Sequence, residues 1–542
     1  MRIQGKPGLW LGLFCGLFLT VPLVSIFYLG YRVAALPFPP FNLFDWQTRI
    51  LPGPVLAKGI NTMVRVIGWT HGTDTSRVAK LAEESMAVSE FILAGMAIGA
   101  VLFTFLRWGS RKAAVPAGRV LGIVLGLSVA WVSNLIESSS RVSPVSRAVW
   151  IALPFIAWGA ALGWVYQRLT QGQVVAATGE SAAASTAARA DRRRFLARFA
   201  GVASAVTVFT ALVGKVGDRG ERAAPTTGGE PWSATHPLPN AGAALQPAPG
   251  TRPELTPVSR HYRIDINTSP PSIPEATWRL KIHGLVAKPL EWSLADLRAR
   301  PAVDQFITLS CISNTVGGDL IGTTRWSGVS LEQLLPDLGL QPNATHLKIQ
   351  SADGFFEVVA LDTIRRDGRV MLTYAWDGLP LSEKHGFPLR VYIPDRYGMK
   401  QPKWIEFIEA TDHWEPGYWV VRGWDREARM KATSVIDTIA TNMMISQPQD
   451  MRVPIGGIAH AGVRGISKVE LRVDNGEWMP AELRTPLSGQ TWVVWRYDWP
   501  MQKGKHTFTV RCFEGDGSAQ IAQEAPHDPS GATGLATRSV ML

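Results

Sequence analysis

The stretch Phe306-Ile-Thr-Leu-Ser-Cys311-Ile-Ser-Asn314-Thr-Val-Gly317-Gly318-Asp-Leu-Ile-Gly322-Thr-Thr-Arg-Trp326 decides how the rest of the chain is read. Its alternating apolar run, Phe306-Ile-Thr-Leu, predicts a strand that delivers Cys311 to its end. The Ser-Asn and Gly-Gly that follow do not continue a strand, so the chain turns there and presents the sulfur at a strand-to-loop corner. A thiolate in that position binds a metal, acts as a nucleophile or forms a disulfide. A buried structural cysteine is the alternative that a lone Cys always carries.

Working outward, 542 residues are too many for one domain, and roughly three or four folded units are expected. A hydrophobic content of 46% is high for a soluble protein and points to membrane segments. The net charge of +11 raises the question of nucleic acid. The longest basic run is Arg192-Arg193-Arg194, however, and no basic stripe is interleaved with aromatics, so nucleic acid is excluded as a partner. The three cysteines, Cys15, Cys311 and Cys512, include no Cys-x-x-Cys and no zinc spacing.

Residues 9–29 carry no charge, long enough to cross a bilayer and too long for a typical signal segment. Further apolar runs at 86–106, 120–136, 148–166 and 199–214 predict five crossings in a membrane domain of residues 1–217. Arg2 and Lys6, then Arg107, Arg111, Lys112 and Arg119, then Arg168, Arg189 and Arg192 to Arg194 all fall on one side of that arrangement. The opposite loop before the fourth run holds only Arg141 and Arg147. The positive-inside rule therefore puts the N-terminus in the cytoplasm and everything after residue 217 outside, in the periplasm or extracellular space.

Asp191-Arg192-Arg193-Arg194-Phe195-Leu196 resembles a twin-arginine export signal, with an ordinary cytoplasmic basic flank as the alternative. The five runs contain no histidine for haem, His71 falling in the loop 31–84. Glu90 and Asn134 are polar residues inside runs. Such groups are functional candidates, with snorkelling or helix–helix hydrogen bonding as the structural alternative. The loop 31–84, rich in Trp, Phe and Pro, reads as an anchor or docking surface.

Two segments read as linkers. Residues 171–190 are rich in Ala, Gly, Ser and Thr and predict a flexible link. Residues 218–259, rich in Pro, Gly, Ala and Thr, predict a semi-extended tether. From Arg260 the pattern mixes short alternating strands with helical pieces and predicts an α+β domain over 260–434. From about Val435 the pattern is all-β. Val469-Glu-Leu-Arg-Val runs into the hairpin turn Asp474-Asn475-Gly476, and Phe508, Val510 and Cys512 share one face of a later strand. Cys512 thus reads as a core residue of a sandwich over 435–542.

Five motifs stand in order along the α+β region. They are Trp278-Arg-Leu-x-Ile-x-Gly, Cys311-x-Ser-Asn, Arg325-Trp326-x-Gly-Val, His385-Gly-Phe-Pro-Leu-Arg390 and Tyr397-Gly-x-Lys400-x-x-Lys403-Trp404. Together they resemble the sulfite oxidase family of molybdopterin-dependent oxidoreductases, here of a membrane-anchored bacterial type. The resemblance runs from Arg260 to the C-terminus and leaves the membrane half unexplained. It implies a molybdenum–molybdopterin cofactor with Cys311 as the protein's metal ligand; the sequence shows no haem motif and no flavin fingerprint. It also implies that Tyr262, Arg263, Asn267, Ser313 and Asn314 lie along the cofactor. His385, Arg390, Lys400 and Lys403 are implied to hold its terminal phosphate, since a dianion needs several donors. Trp326 and Tyr418 match residues near the substrate opening, where Trp326 also reads as core.

One departure stands out. Sulfite-oxidising members carry arginines after the Cys-x-x-Asn, where this chain has Thr315 and Val316. Arg325 or Arg422 would have to restore that positive charge. Oxidation of sulfite or a related sulfur compound and reduction of an S- or N-oxide therefore compete as the implied oxygen-atom transfer. The resemblance also implies an immunoglobulin-like C-terminal domain of the dimerising type, hence a homodimer, with a packing domain in a monomer as the alternative. Electrons would pass to a separate protein partner or to a quinone. The rival readings are a membrane-anchored binding protein that keeps the fold without the cofactor, and an enzyme using Cys311 as nucleophile.

Overall fold

The computed structural model describes residues 7–69, 74–136, 142–177, 182–216, 229–446 and 451–542. Arg2, Lys6, His71, Arg141 and residues 218–228 lie outside the described residues, as do the side chains of Arg189 and Arg192. The chain forms two compact units, the first comprising Met1–Leu51, Lys80–Arg222 and Ile266–Ser272 and the second the remainder.

The helices in chain order are α1 (Leu9–Ala34), α2 (Pro39–Ile50), α3 (Gly53–Trp69), α4 (Thr75–Leu106), α5 (Ala114–Ile136), α6 (Pro144–Ala177) and α7 (Ala182–Val216). Among the described residues four stretches are long and apolar enough to cross a membrane: Leu9–Ala34, Thr75–Leu106, Arg111–Ile136 and Pro144–Thr170. The fifth expected run, 199–214, lies in α7, and some of its side chains fall outside the described residues. The first unit is held by backbone closeness. Gly12 and Gly16 of α1 stand against Gly99 and Met96 of α4, where a Cβ on Gly12 would lie 2.6 Å from Ala100 Cα. Gly118 and Gly122 of α5 meet Gly159 and Phe155 of α6 in the same way. Small residues at such crossings let dispersion and lipid release, rather than water exclusion, hold the helices. Phe27, Phe103, Phe155, Trp158 and Tyr166 fill the interior.

The expected flexible link at 171–190 is mostly helix, shared between α6 and α7, as its alanines favour once helices flank it. The short piece Ile266–Ser272 also belongs to the first unit. The buried Asp45 carboxylate of α2 accepts from Thr268 N at 2.8 Å and Thr268 Oγ1 at 2.6 Å, and Arg49 Nη2 donates to Asn267 Oδ1 at 3.0 Å. Lys80 Nζ reaches Asn267 O at 3.1 Å.

The second unit opens with β1 (Leu280–Gly284), β2 (Leu290–Trp292), β3 (Val303–Ser310), β4 (Ile321–Ser330), β5 (His346–Ser351) and β6 (Phe356–Ala360). It continues with β7 (Met371–Trp376), β8 (Leu379–Pro380), β9 (Arg390–Tyr392) and β10 (Ile405–Thr411). Two layers result, a mixed sheet ordered β2-β1-β10-β5-β6, with β1 and β10 parallel, and an antiparallel sheet ordered β3-β4-β7-β8 with β9 beside β7. They share a core around Trp278, Leu280, Ile307, Trp326, Trp376 and Trp404.

The later strands are β11 (Thr433–Ser434), β12 (Thr438–Ile439), β13 (Ile445–Ser446), β14 (Met451–His460) and β15 (Ile466–Val473). After them come β16 (Trp478–Pro480), β17 (Glu482–Leu483), β18 (Val493–Pro500), β19 (Lys505–Glu514) and β20 (Ala536–Met541). They form two sheets, β11-β14-β18-β17 and β16-β15-β19-β20, around Trp495, Trp499, Phe508, Val510 and Cys512. The Asp474-Asn475-Gly476 turn joins β15 to β16, with Asp474 at φ +52°.

Two expectations about organisation are corrected here. The described part of the expected tether does not stand off: Ser233 N and Oγ donate to Asp377 at 3.0 and 2.6 Å. Arg252 forks onto Asp437, and buried Arg484 pairs with Glu254 at 3.0 Å. Polar partners distant in sequence thus order a segment whose composition alone reads as loose. Within the expected membrane domain, residues 52–79 belong instead to the second unit. There Asn61 Nδ2 donates to Asp528 Oδ2 at 2.9 Å, and Thr75 N donates to Asp319 Oδ2 at 2.8 Å.

Candidate functional site

β3 ends at Ser310, and the chain turns at Cys311 as its residues predict. Cys311 N donates to Leu320 O at 2.9 Å, Asn314 N to Cys311 O at 3.1 Å, and Gly317 takes φ +81°. Asn314 closes the loop from its far end, Oδ1 accepting from Leu320 N at 3.0 Å. Cys311 Sγ lies 3.0 Å from Ser313 Oγ. Burial pushes the thiol up, the Ser313 hydrogen bonds and the Lys403 charge opposing it. A thiol held protonated by burial is the reverse of an activated nucleophile, whereas a metal would displace its proton. The Lys403 charge reaches Cys311, and a thiolate there would push the Tyr262 and Tyr397 hydroxyls up.

Next to this loop the second unit encloses cations and aromatic rings that the sequence scatters widely. The Arg390 guanidinium lies 4.6 Å from the Trp326 ring centroid and 5.0 Å from that of Trp376. His385 packs 4.8 Å from Trp376, and His261 sits 4.6 Å from the same ring and 5.9 Å from His385. Burial pushes His261 down to about 3 and His385 well below its ordinary range, so both imidazoles are neutral beside Arg390 and Lys403. Lys403 Nζ bonds Asp265 Oδ2 at 3.1 Å, and Arg263 forks onto the same carboxylate at 2.7 and 3.2 Å. Gly386 makes the His-Gly-Phe-Pro corner work: it adopts φ +108°, and a Cβ there would press on Lys403 Cβ at 3.1 Å and Arg390 Cβ at 3.3 Å.

The cluster is rich in donors and poor in acceptors. Trp326 Nε1, Trp376 Nε1 and Arg390 Nε are buried without a hydrogen-bond partner among the described residues. Asp265 is the carboxylate that meets the cations Lys403 and Arg263. Burying unpaired donors and cations is costly. A group that brings several acceptors and negative charge, as a pterin with a terminal phosphate does, satisfies them. The residues present fit such a cofactor.

Of the residues proposed to hold it, the structure gathers Tyr262, Arg263, His385, Arg390 and Lys403 in one neighbourhood, with Cys311, Ser313 and Asn314 in the loop beside it. Lys400 is buried in an ion pair with Glu357 at 3.0 Å, and Asn267 is engaged by Arg49 and Lys80 in the first unit. Trp326 is wholly enclosed beneath Arg390. Tyr418 packs on Phe355 at 5.5 Å, with the Arg422 guanidinium 3.6 Å above its ring. His261, Asp265 and Trp376 were not singled out from sequence. His261 adjoins the matched Tyr262-Arg263 and was within reach, whereas Trp376 reads as an ordinary inward residue of β7.

A small cleft runs beside the Cys311 loop, between Asn314, Thr315 and Val316 on one side and Tyr397, Lys431 and His460 on the other. Lys431 is its charged residue. Arg325 is committed to Asp304 at 2.7 Å and to the Trp232 face at 4.9 Å, and Arg422 to Tyr418. Neither lines this cleft.

Residues 267–419 match the family described as oxidoreductase molybdopterin binding domain. A putative protein-methionine-sulfoxide reductase subunit YedZ1 of Azospira oryzae is 31% identical over 150 residues, 28% of this chain and 55% of that one. The uncharacterized oxidoreductase YuiH of Bacillus subtilis is 29% identical over 147 residues, 27% of this chain and 72% of that one. Mitochondrial sulfite oxidase of Mus musculus is 27% identical over 296 residues, 46% of this chain and 54% of that one. The chain thus spans about half the length of the first and third of these relatives. A cysteine loop set beside a buried, donor-rich cradle lies inside the segment that matches the molybdopterin-binding domain, which makes residues 267–419 a molybdopterin-binding oxidoreductase domain similar to that of the sulfite oxidases.

Proposed function

We propose that this chain is a membrane-anchored, molybdenum cofactor-dependent oxidoreductase that transfers an oxygen atom to or from a small sulfur compound or an S- or N-oxide outside the cytoplasmic membrane. The observation that carries this reading is the set of unpaired buried donors around Arg390, next to the Cys311 loop. When bound, the cofactor supplies the two-electron oxygen-atom transfer. Cys311 would be the protein's ligand to the metal. Arg390 and Lys403 would hold the phosphate end as fork and point charge, and Trp326 and Trp376 would turn their indole N–H groups to its acceptors. Neutral His261 and His385 add donors or acceptors without adding charge. Asp265 keeps Lys403 and Arg263 oriented while no anion is present. The cleft beside the loop would admit substrate, and its modest positive charge, from Lys431, suits a neutral oxide at least as well as an anion.

The apolar helices support a membrane anchor, and the distribution of basic residues supports a cytoplasmic N-terminus with the redox unit outside, delivered through the twin-arginine-like segment. The two-sheet C-terminal region would pair two copies. The test is elemental analysis of full-length protein made in a host that assembles the cofactor, followed by steady-state assays in both directions. About one molybdenum per chain, with turnover of an S-oxide or of sulfite, is expected. A molybdenum-free protein would mark the chain as an anchored binding protein that keeps the fold.

A further inference from the structure

The first unit contains an apolar chamber of about 150 Å³. It arises from one face of α4, where Ala87, Glu90, Phe91, Ala94, Gly95 and Ile98 recur at helical spacing and the small members leave room. The Phe44, Phe91, Phe155 and Trp158 rings wall it from α2, α4 and α6. Trp158 is fixed in place, its Nε1 donating to Thr20 Oγ1 at 3.2 Å. The lining is overwhelmingly carbon, and Glu90, joined by Gln47, stands among it as the ionisable group.

We infer that this chamber binds the ring of a lipophilic quinone. The inference rests on the oxidoreductase reading above. A chamber of this size takes a single small aromatic ring, as an apolar cavity of like volume takes benzene. Aromatic walls on three helices match a flat ring, which gains from offset and edge contacts, better than they match a single flexible acyl chain. An ionisable side chain in a membrane-facing wall is costly, and a bare hydrocarbon occupant would do nothing to offset that cost. A quinone does, because its carbonyl oxygens accept hydrogen bonds from the Gln47 amide and its hydroquinone hydroxyls donate to the Glu90 carboxyl group. The chemistry balances: a quinone takes two electrons and two protons to become its hydroquinone, breaking no ring bond. The oxygen-atom transfer proposed above yields or consumes two electrons per turn. Glu90 is the group placed to exchange a proton with the ring oxygen.

The experiment uses the full chain in lipid nanodiscs with an azido-quinone bearing a decyl tail, illuminated and then mapped by peptide mass spectrometry. Cross-links on the α4 segment around Phe91 and on Phe155–Trp158 of α6 are expected, displaced by unlabelled decylquinone. Ala94→Trp, which fills the chamber, should cut labelling about tenfold, and Glu90→Gln should weaken it less. Labelling that decylquinone does not displace, or that a saturated fatty acid of equal length displaces as well, would overturn the inference in favour of a lipid tail. No cross-link on either segment would overturn it too. Labelling does not require molybdenum, so loss of the oxidoreductase reading would show in the metal analysis and not here.

Discussion

Cys311 and Cys512 invite comparison, because both are buried and burial raises both thiols, that of Cys512 to about 12. Cys512 lies within β19, with its Sγ directed to Gln520 Oε1 at 3.3 Å, and Gln520 is itself bonded to Ser434 Oγ at 2.6 Å and Gly534 O at 2.8 Å. Cys311 stands one residue past the end of β3, in a loop, next to a cluster in which Trp326 Nε1, Trp376 Nε1 and Arg390 Nε are buried without a hydrogen-bond partner among the described residues. The difference teaches that burial does not distinguish a reactive cysteine from a packing one. The unmet donors around it do.

The comparison breaks most readily at the two sulfurs themselves. Cys311→Ser is expected to lower turnover by about a hundredfold or more. Cys512→Ala should leave turnover within about twofold while costing about 1 kcal/mol of stability in denaturant unfolding. Equal losses of activity would erase the distinction.

The cradle comes next. Arg390→Met should reduce the cofactor retained after purification about tenfold, yet leave the melting temperature of cofactor-free protein unchanged or higher, since an unpaired buried cation destabilises the empty fold. A variant that loses stability and cofactor together would make Arg390 a structural residue.

The two units should also respond to pH in opposite senses. His261, His385 and His460 of the second unit are all held below their ordinary 6.5, His261 and His460 near 3. As pH falls below 6.5 the unfolded chain takes up protons that the folded unit refuses. Each histidine then removes up to about 1.4 kcal/mol per pH unit until its folded value is reached. In the first unit, burial raises Asp45 from 3.8 to about 7 despite the Thr268 hydrogen bonds. There the folded state holds the extra proton, so stability is fully present below pH 3.8 and declines as pH rises towards 7. Hydrogen exchange resolved by segment should show the second unit loosening in acid and the Ile266–Ser272 segment loosening towards neutrality. Asp45→Asn should flatten only the latter.

The smallest expected effect lies in the cleft. Lys431→Gln should raise KM for an anionic substrate about threefold while leaving KM for a neutral S-oxide unchanged. An equal rise for both would remove Lys431 from substrate recognition.

Much of this site was legible before the structure, because its motifs are local. Strand alternation ends at Ser310, Gly317 and Gly318 force the turn, and Gly386 sits where only a glycine fits. The Asp474–Gly476 hairpin and the inward face of Phe508, Val510 and Cys512 follow from the same two-residue period. What stayed hidden depends on partners far away in sequence. Composition cannot show that Lys400 pairs with Glu357, that Asn267 is engaged by Arg49 and Lys80, or that residues 229–259 lie down along Asp377, Asp437 and Arg484. The placement of 52–79 with the second unit is hidden for the same reason, since it depends on Asp319 and Asp528. Trp376 stayed hidden because an inward aromatic residue on a strand looks the same whether it fills a core or floors a binding site.

The most direct test of the central claim is molybdenum X-ray absorption on the purified full chain and on Cys311→Ser. The account predicts that the variant loses one sulfur neighbour of the metal and gains a lighter one. An unchanged sulfur count in a variant that still binds molybdenum would contradict it.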